Sequence, residues 1–445
     1  MGRLIINELG PIERCELDCS QFITLTGPQA SGKSTIAKAI YFFRTIKDDI
    51  LNLAKTQALG GGVIDGMETA FDTVHGTTLR KGLENFLRDK FLSTFGSSWG
   101  MSNEMFMEYH FTDTCSVRIS LMEETKFNSP NYIWITLSSE LKKFLGEKDR
   151  CFIATPLGVS EDEIIRFKNE LFELFHDKCH VVYIPAGRSM MTVLSQQLGY
   201  IYATMGDVQK RSLDTCTKDY LERILRLKSE FSLGLPGVIY FAPGKIRIPG
   251  EVINHALELI KKILRGEYRY NDGEEQIVLE NRKYVKINFS SSGQQESVWI
   301  LNLLFYYLMQ SNQVLFIIEE PESHLFPEAQ KYMTELIALV NNCKHSVVLT
   351  THSPYVLGTL NNLLYAKSVV GENEDKLKQI VPAYVRLDHE IFDSWFVQNG
   401  TIENCMDSEI HMIQNERIDE ISKVINREFD ELLELQNANE EGDNQ

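Results

Sequence analysis

The chain opens with RLIINEL and CELDCSQFITLT, where apolar positions alternate with polar ones and then run unbroken, so both segments are expected as strands. GPQASGKST interrupts the pattern before IAKAIYFF, whose apolar residues return at helical spacing. From about 48 to 108 the period is helical but irregular, broken by Gly60, Gly61 and Gly62 and by SSWGMSN. MEYHFTDTCSVRISL and NYIWITLSSEL alternate as strands, and EDEIIRFKNELFELF has a helical period. HVVYIPAGR reads as a short buried strand ending in a Pro/Gly turn, and residues 189 to 265 read as mostly helical. EYRYNDGEEQIVLENRKYVKINF predicts hairpin strands with turns at NDG and ENR. Beyond it VWILNLLFYYLM, VLFII, EAQKYMTELIALV, SVVLT and PYVLGTL alternate helix and strand.

Such alternation predicts an α/β fold with a mainly parallel sheet, an antiparallel β subdomain and a large, mostly helical insertion. The expected divisions are 1–47, with the first strands and the glycine turn; 48–265, the insertion, with a return to the sheet near 180–188; 266–388, the second part of the sheet; and 389–445, a helical extension. Its end, NANEEGDNQ, is acidic and expected to be disordered. No internal repeat is visible.

A length of 445 residues suits two to three domain-sized units, and 43% hydrophobic residues supply a sizeable core. No apolar run is long enough to span a bilayer and MGRLIINELG lacks a signal-peptide pattern, so a soluble, cytoplasmic chain without a membrane partner is expected. The 8 cysteines are scattered without paired metal spacing and are expected as reduced thiols. A net charge of −17 argues against a general nucleic-acid coat, whose affinity comes from Lys and Arg neutralising phosphates. Two local basic clusters, Arg223, Arg226 and Lys228, then Lys261, Lys262, Arg265 and Arg269, read first as solvated helix faces, with DNA contact as the rival reading.

GPQASGKST carries the first chemistry. It fits a phosphate-binding loop, in register at Gly27, Gly32, Lys33 and Ser34 and flanked by the strand and helix that the motif requires. The ATP-binding set is Gly27, Pro28, Gln29, Ala30, Ser31, Gly32, Lys33, Ser34 and Thr35. Backbone N–H groups would cradle phosphates, Lys33 would reach the β/γ-phosphates, and the Ser34 hydroxyl would hold Mg²⁺. VLFIIEEPESHL adds a second element, an apolar strand that delivers Glu319 and Glu320 to the carboxyl edge of the sheet. Glu319 is expected to hold Mg²⁺, directly or through water, and Glu320 to act as general base on the attacking water. SVVLTTHSP ends in His352, a candidate for contacting a γ-phosphate or orienting the water.

SSSGQQES, ahead of VWILNLLFYYLM, is by itself equally an N-capped buried helix. Taken in order, GPQASGKST, SSSGQQE, FIIEEPESHL and TTHSP resemble the nucleotide-binding domains of the ABC ATPase superclass, in the branch of SMC, RecF and OLD-like proteins. EEPE followed by THSP resembles most closely the OLD-like ATPases of bacterial anti-phage systems. The resemblance covers roughly residues 1–47 and 285–370 and implies an ABC-type ATPase head. It matches Ser291, Ser292, Gly293 and Gln294 to the signature loop that docks on a partner's nucleotide, Ser323 to Leu325 to the dimer-contact loop, and His352 to the switch histidine. Glu319 stands where most ABC proteins have Asp, and no residue is assigned to the glutamine loop. OLD-like proteins often carry an arginine like Arg188, which would reach the nucleotide or the dimer seam; the rival is an exposed arginine paired with an acid.

The implied function is an ATPase using ATP and Mg²⁺ that forms a homodimer or higher oligomer and switches a separate effector, such as a nuclease, in anti-phage defence. The residues after 370 are too few for the TOPRIM nuclease of OLD proteins, and no HNH-like cluster is visible. The alternative is a RecF/SMC-like DNA-repair ATPase, for which DNA is a partner. A transporter subunit and a small-molecule kinase fit the motifs less well.

Overall fold

The computed structural model describes residues 2–58, 78–97, 100–122, 132–153, 160–193, 214–242, 248–280, 283–369, 373–414, 424 and 426–430. The glycine run at 60–62 and the acidic end NANEEGDNQ lie outside them. The architecture is α/β with a mainly parallel main sheet, as the alternation of elements predicts, and one antiparallel pair at its edge.

Six strands form that sheet in the order β14 (Thr401–Asn404), β13 (Phe392–Gln398), β3 (Phe22–Thr26), β12 (Ser346–Thr351), β11 (Val314–Glu319) and β7 (His180–Ile184). All neighbours are parallel except β13 and β14, which pair antiparallel. β11 is buried at every position because both faces are covered, which is why VLFII reads as a continuous apolar run up to Glu319. Phe316 and Ile318 enter a core with Phe22, Trp299, Leu336 and Leu349. Leu315 and Ile317 enter a second core on the other face, with Ile23, Leu25, Ile40 and Phe43.

A 5-stranded antiparallel sheet runs β2 (Ile12–Asp18), β1 (Arg3–Leu9), β4 (Phe106–His110), β5 (Ser116–Met122) and β6 (Tyr132–Leu137). Strands from 106–137 therefore share a sheet with the first residues, instead of standing in an insertion of their own. Backbone pairing explains this difference from the expected division at residue 47: β1 has two free edges and takes β2 on one and β4 on the other. The tyrosine-rich segment forms the expected hairpin strands β8 (Glu267–Asn271), β9 (Glu274–Val278) and β10 (Tyr284–Lys286). Between β7 and β8 lie helices Thr215–Leu227, Gly234–Phe241 and Gly250–Leu264.

The segment expected as a helical extension from 389 is also different. Phe392, Ser394 and Phe396 alternate inward, so the stretch adds β13 and β14 to the main sheet beside β3. In the first basic cluster Arg223 is half-buried against Asp219 at 3.0 Å and the Tyr307 hydroxyl, while Arg226 is exposed; in the second cluster Lys261 pairs with Glu280 at 3.3 Å on the surface. Among the described residues no helix is long and apolar enough to cross a membrane.

Candidate functional site

Strand register sets the site. Thr26 pairs with Thr351, and Thr350 pairs with Glu319, so β3, β12 and β11 end side by side. The next residue on each strand, Gly27, His352 and Glu320, therefore emerges along one carboxyl edge of the sheet, where open α/β sheets bind ligands. Segments separated by about 300 positions in the sequence meet there through strand pairing and the cores on both faces of the sheet.

The phosphate loop is shaped by backbone that ordinary residues avoid. Gly27 has φ +142° and Gly32 φ +107°, and Ala30 lies in the left-handed region at φ 59°. A Cβ on Gly27 would stand 2.2 Å from the Val397 carbonyl oxygen of β13, so only glycine fits. Helix Lys33–Arg44 starts after Gly32 without a side-chain cap, which leaves its first N–H groups for an anion. The Lys33 ammonium donates to the carbonyls of Gly27 at 2.8 Å and Pro28 at 2.6 Å, inside the curve of the loop. Burial pulls its pKa down, while the carboxylates of Glu320 and Glu322 act to hold it up. Ser34 is exposed at the helix start, and the buried Ser31 Oγ has no hydrogen-bond partner. A cleft of about 450 Å³ lies against the loop, walled by Pro11 and by the β13–β14 turn at Gln398, Asn399 and Gly400.

Two adjacent carboxylates end β11 in different environments. Glu319 is buried; its Oε2 accepts from the Ala186 N–H at 3.2 Å and its Oε1 has no partner. Burial first, then this negative neighbour, pushes the Tyr183 hydroxyl well above its usual pKa. A buried carboxylate oxygen without a donor suits a cation, so the pair Glu319 and Ser34 fits the Mg²⁺ role. Glu320 takes the left-handed conformation, φ 43°, with its N–H donating to the Thr350 carbonyl at 3.0 Å. That conformation is costly for glutamate and persists only where its surroundings enforce it.

Arg188 is part of that enforcement. The arginine offered by the sequence to the nucleotide, to a dimer seam, or to solvent beside an acid is fully buried at 0% exposure. Its guanidinium donates to the carbonyls of Pro185 (2.6 Å), Glu319 (2.6 Å), Glu320 (2.9 Å) and Glu296 (3.0 Å). Nε also lies 3.2 Å from the Glu296 carboxylate. With its donors turned to these carbonyls, Arg188 is out of solvent. It ties the ends of β7 and β11 to helix Ser292–Leu308.

The SSSGQQES segment begins that helix. Ser291 is its N-cap and closes a capping box with Gln294, and the Gln294 amide also donates to the Leu264 carbonyl at 2.8 Å. The capped buried helix is what the structure contains: Ser291 and Ser292 are exposed at its start, while Val298 to Phe305 are buried on all sides. Gly293 has an intrachain role, because a Cβ there would stand 2.8 Å from the His324 carbonyl oxygen. Its smallness lets the start of the helix approach His324 and Leu325 closely. Phe289 (80% exposed) and Phe326 (73%) flank these two segments and leave large apolar surface uncovered.

His352 is 45% exposed at the sheet edge, with Nδ1 3.7 Å from both Glu320 Oε1 and Glu322 Oε1. Glu322, Glu296 and Gln330 were missed in the sequence reading. Glu322 Oε1 accepts from the Thr351 hydroxyl at 2.6 Å and the His352 N–H at 3.0 Å. Gln330 receives the Ser353 hydroxyl at 2.6 Å and donates to the Leu325 carbonyl at 2.9 Å. The third acid of EEPE was the available signal for Glu322; nothing local marks the other two. No group of three or more His, Cys, Asp or Glu among the described residues could hold a metal by itself.

A family model described as AAA ATPase domain matches residues 193–357, which supports nucleotide hydrolysis in general. A comparison with curated proteins finds no match. Among solved structures, the chain is similar to an SMC head bound to the C-winged helix domain of ScpA, at 9% identity and TM-score 0.39, covering 90% of this chain and 96% of that one. It is also similar to the SMC head domain from Thermotoga maritima, at 13% identity and TM-score 0.35, covering 90% and 97%. A dimeric bacterial ABC transporter cassette shares 12% identity at TM-score 0.31, covering 91% and 97%.

Proposed function

We propose that this chain is an ABC-type ATPase that closes on a second copy of itself around ATP and serves as the sensor or switch of an anti-phage system with a separate effector, a nuclease. The observation that carries the ATPase reading is the strand register aligning Gly27, Glu320 and His352 on one sheet edge. In the reaction, the phosphate-loop N–H groups and Lys33 hold the β/γ-phosphates, and Glu320 takes the proton of the attacking water. Glu319 and Ser34 would hold Mg²⁺, which would supply charge neutralisation on the phosphates. His352 faces the γ-phosphate from the neighbouring strand end.

Pairing is supported by the exposed Ser291 and Ser292 beside exposed Phe289 and Phe326. A helix N-terminus offers N–H groups and a positive dipole end to a phosphate held by a partner. The defence role rests on the motif resemblance, EEPE followed by THSP. Turnover of ATP by the purified chain with Mg²⁺, set against Lys33→Ala and Glu320→Gln, tests the chemistry. Glu320→Gln is expected to bind ATP and lose about 10²–10⁴ in rate; wild-type rates in both variants would refute the site. Phage plating on cells carrying the gene with its neighbours tests the role. Salt-sensitive DNA binding by the chain alone, with no protection from phage, would support the DNA-repair reading instead.

A further inference from the structure

We infer that Glu322 is a positioning residue for His352: its carboxylate sets the backbone at Thr351 and His352 and keeps the imidazole proton on Nδ1, which leaves the Nε2 lone pair to accept from the attacking water. The inference rests on the ATPase reading of the site for the purpose it serves, and on this structure for its geometry. One oxygen, Oε1, is already committed to the Thr351 hydroxyl and the His352 N–H. The other, Oε2, is buried without a partner. The ring nitrogen Nδ1 is 3.7 Å from Oε1.

Glu320 lies at the same 3.7 Å from Nδ1, so distance does not choose between the two acids. Environment does. The Glu322 side chain is 4% exposed and that of Glu320 is 32% exposed, so the field of Glu322 at the ring is less screened by water. Glu322 is also held from both sides: the Leu325 N–H donates to its carbonyl at 3.0 Å, and its carboxylate is anchored on β12. Glu320 is the base in the proposed reaction and gains a proton there, whereas Glu322 has no proton to take. At 3.7 Å the separation is longer than a hydrogen bond, and the carboxylate acts on the ring through its charge, which favours an N–H over a lone pair at the nearer nitrogen.

The test uses the full chain labelled with ¹⁵N-histidine and free of nucleotide, with the His352 signals identified by their loss in His352→Gln. Wild type is expected to show Nδ1 protonated. Glu322→Gln keeps an acceptor for Thr351 and the His352 N–H but removes the charge, and is expected to move the proton to Nε2 or into exchange between the nitrogens. In turnover, Glu322→Gln should lower kcat by about tenfold with an unchanged KM for ATP, the scale lost when the orienting partner of a histidine is removed. An unchanged tautomer together with wild-type kcat would overturn the inference. If Glu322→Gln lowers the melting temperature, Thr351→Val, which removes the 2.6 Å anchor and leaves the charge, carries the test: lowered kcat at constant KM supports it and wild-type kcat overturns it. A wild-type chain without ATP turnover would refute the ATPase reading, and the tautomer would still decide the role of Glu322.

Discussion

The Arg188 guanidinium and the Glu296 carboxylate, 3.2 Å apart and both out of solvent, join the end of the Glu319–Glu320 strand to the helix that carries Ser292. Each acid at that strand end hands its carbonyl oxygen to Arg188, so the backbone of the proposed catalytic pair and the proposed partner-binding helix share one side chain. Removing it takes one donor from each of four carbonyls and the countercharge from a buried carboxylate, which keeps the Arg188 backbone N–H at 2.9 Å.

Arg188→Ala is therefore expected to lose about 3–5 kcal/mol of stability, the cost of an uncompensated buried charge. Arg188→Lys should recover only part of this, since an ammonium cannot reach the same fork of acceptors. Urea unfolding of the three proteins checks it, and an unaltered midpoint in Arg188→Ala would refute the clamp.

Gly293→Ala would improve helix propensity in isolation, by about 1 kcal/mol. In this chain the added methyl meets the His324 carbonyl oxygen at 2.8 Å, a backbone atom that cannot swing aside. The variant should be less stable than wild type by about 1–3 kcal/mol, as overpacked sites are. Calorimetric melting decides the sign; a gain in stability would show that the two loops do not touch.

Ser292→Arg is expected to block turnover while leaving ATP binding by the chain's own phosphate loop intact, because exposed Ser292 faces a partner in the proposed dimer. Mixed with Lys33→Ala, it can form one site with both halves intact. Turnover recovered on mixing two inactive variants, as their ratio is varied, would show that the halves come from different copies. Wild-type turnover by Ser292→Arg alone would remove this loop from the site.

Acid should weaken the fold through His345, which is buried behind β11 with Nδ1 accepting the Val314 N–H at 3.2 Å. Burial drops its pKa from 6.5 to about 4. The unfolded chain then binds the proton first, so this contribution is whole above pH 6.5 and is lost as pH falls toward about 4. Its size is about 3 kcal/mol at most, from a shift of roughly 2.5 pH units. Unfolding free energies of wild type and His345→Gln between pH 4 and 7 should show a shallower slope in the variant.

Local pattern alone determined the elements nearest the chemistry. FITLT, GPQASGKST and the helix after them, and VLFIIE with its two acids, are legible because strand burial, glycine conformation and helix period each leave a mark within about ten neighbouring residues. Tertiary structure decided everything that depends on a distant partner. Arg188 could be placed on nucleotide, seam or surface until the carbonyls of Glu319 and Glu320 were beside it. Gly293 carried no sign of His324, and FDSWFVQ none of the free edge of β3 that makes it a strand. Side-chain type records the local conformation a residue can adopt, whereas which donor meets which acceptor is set by strand order, and strand order is written in no single segment.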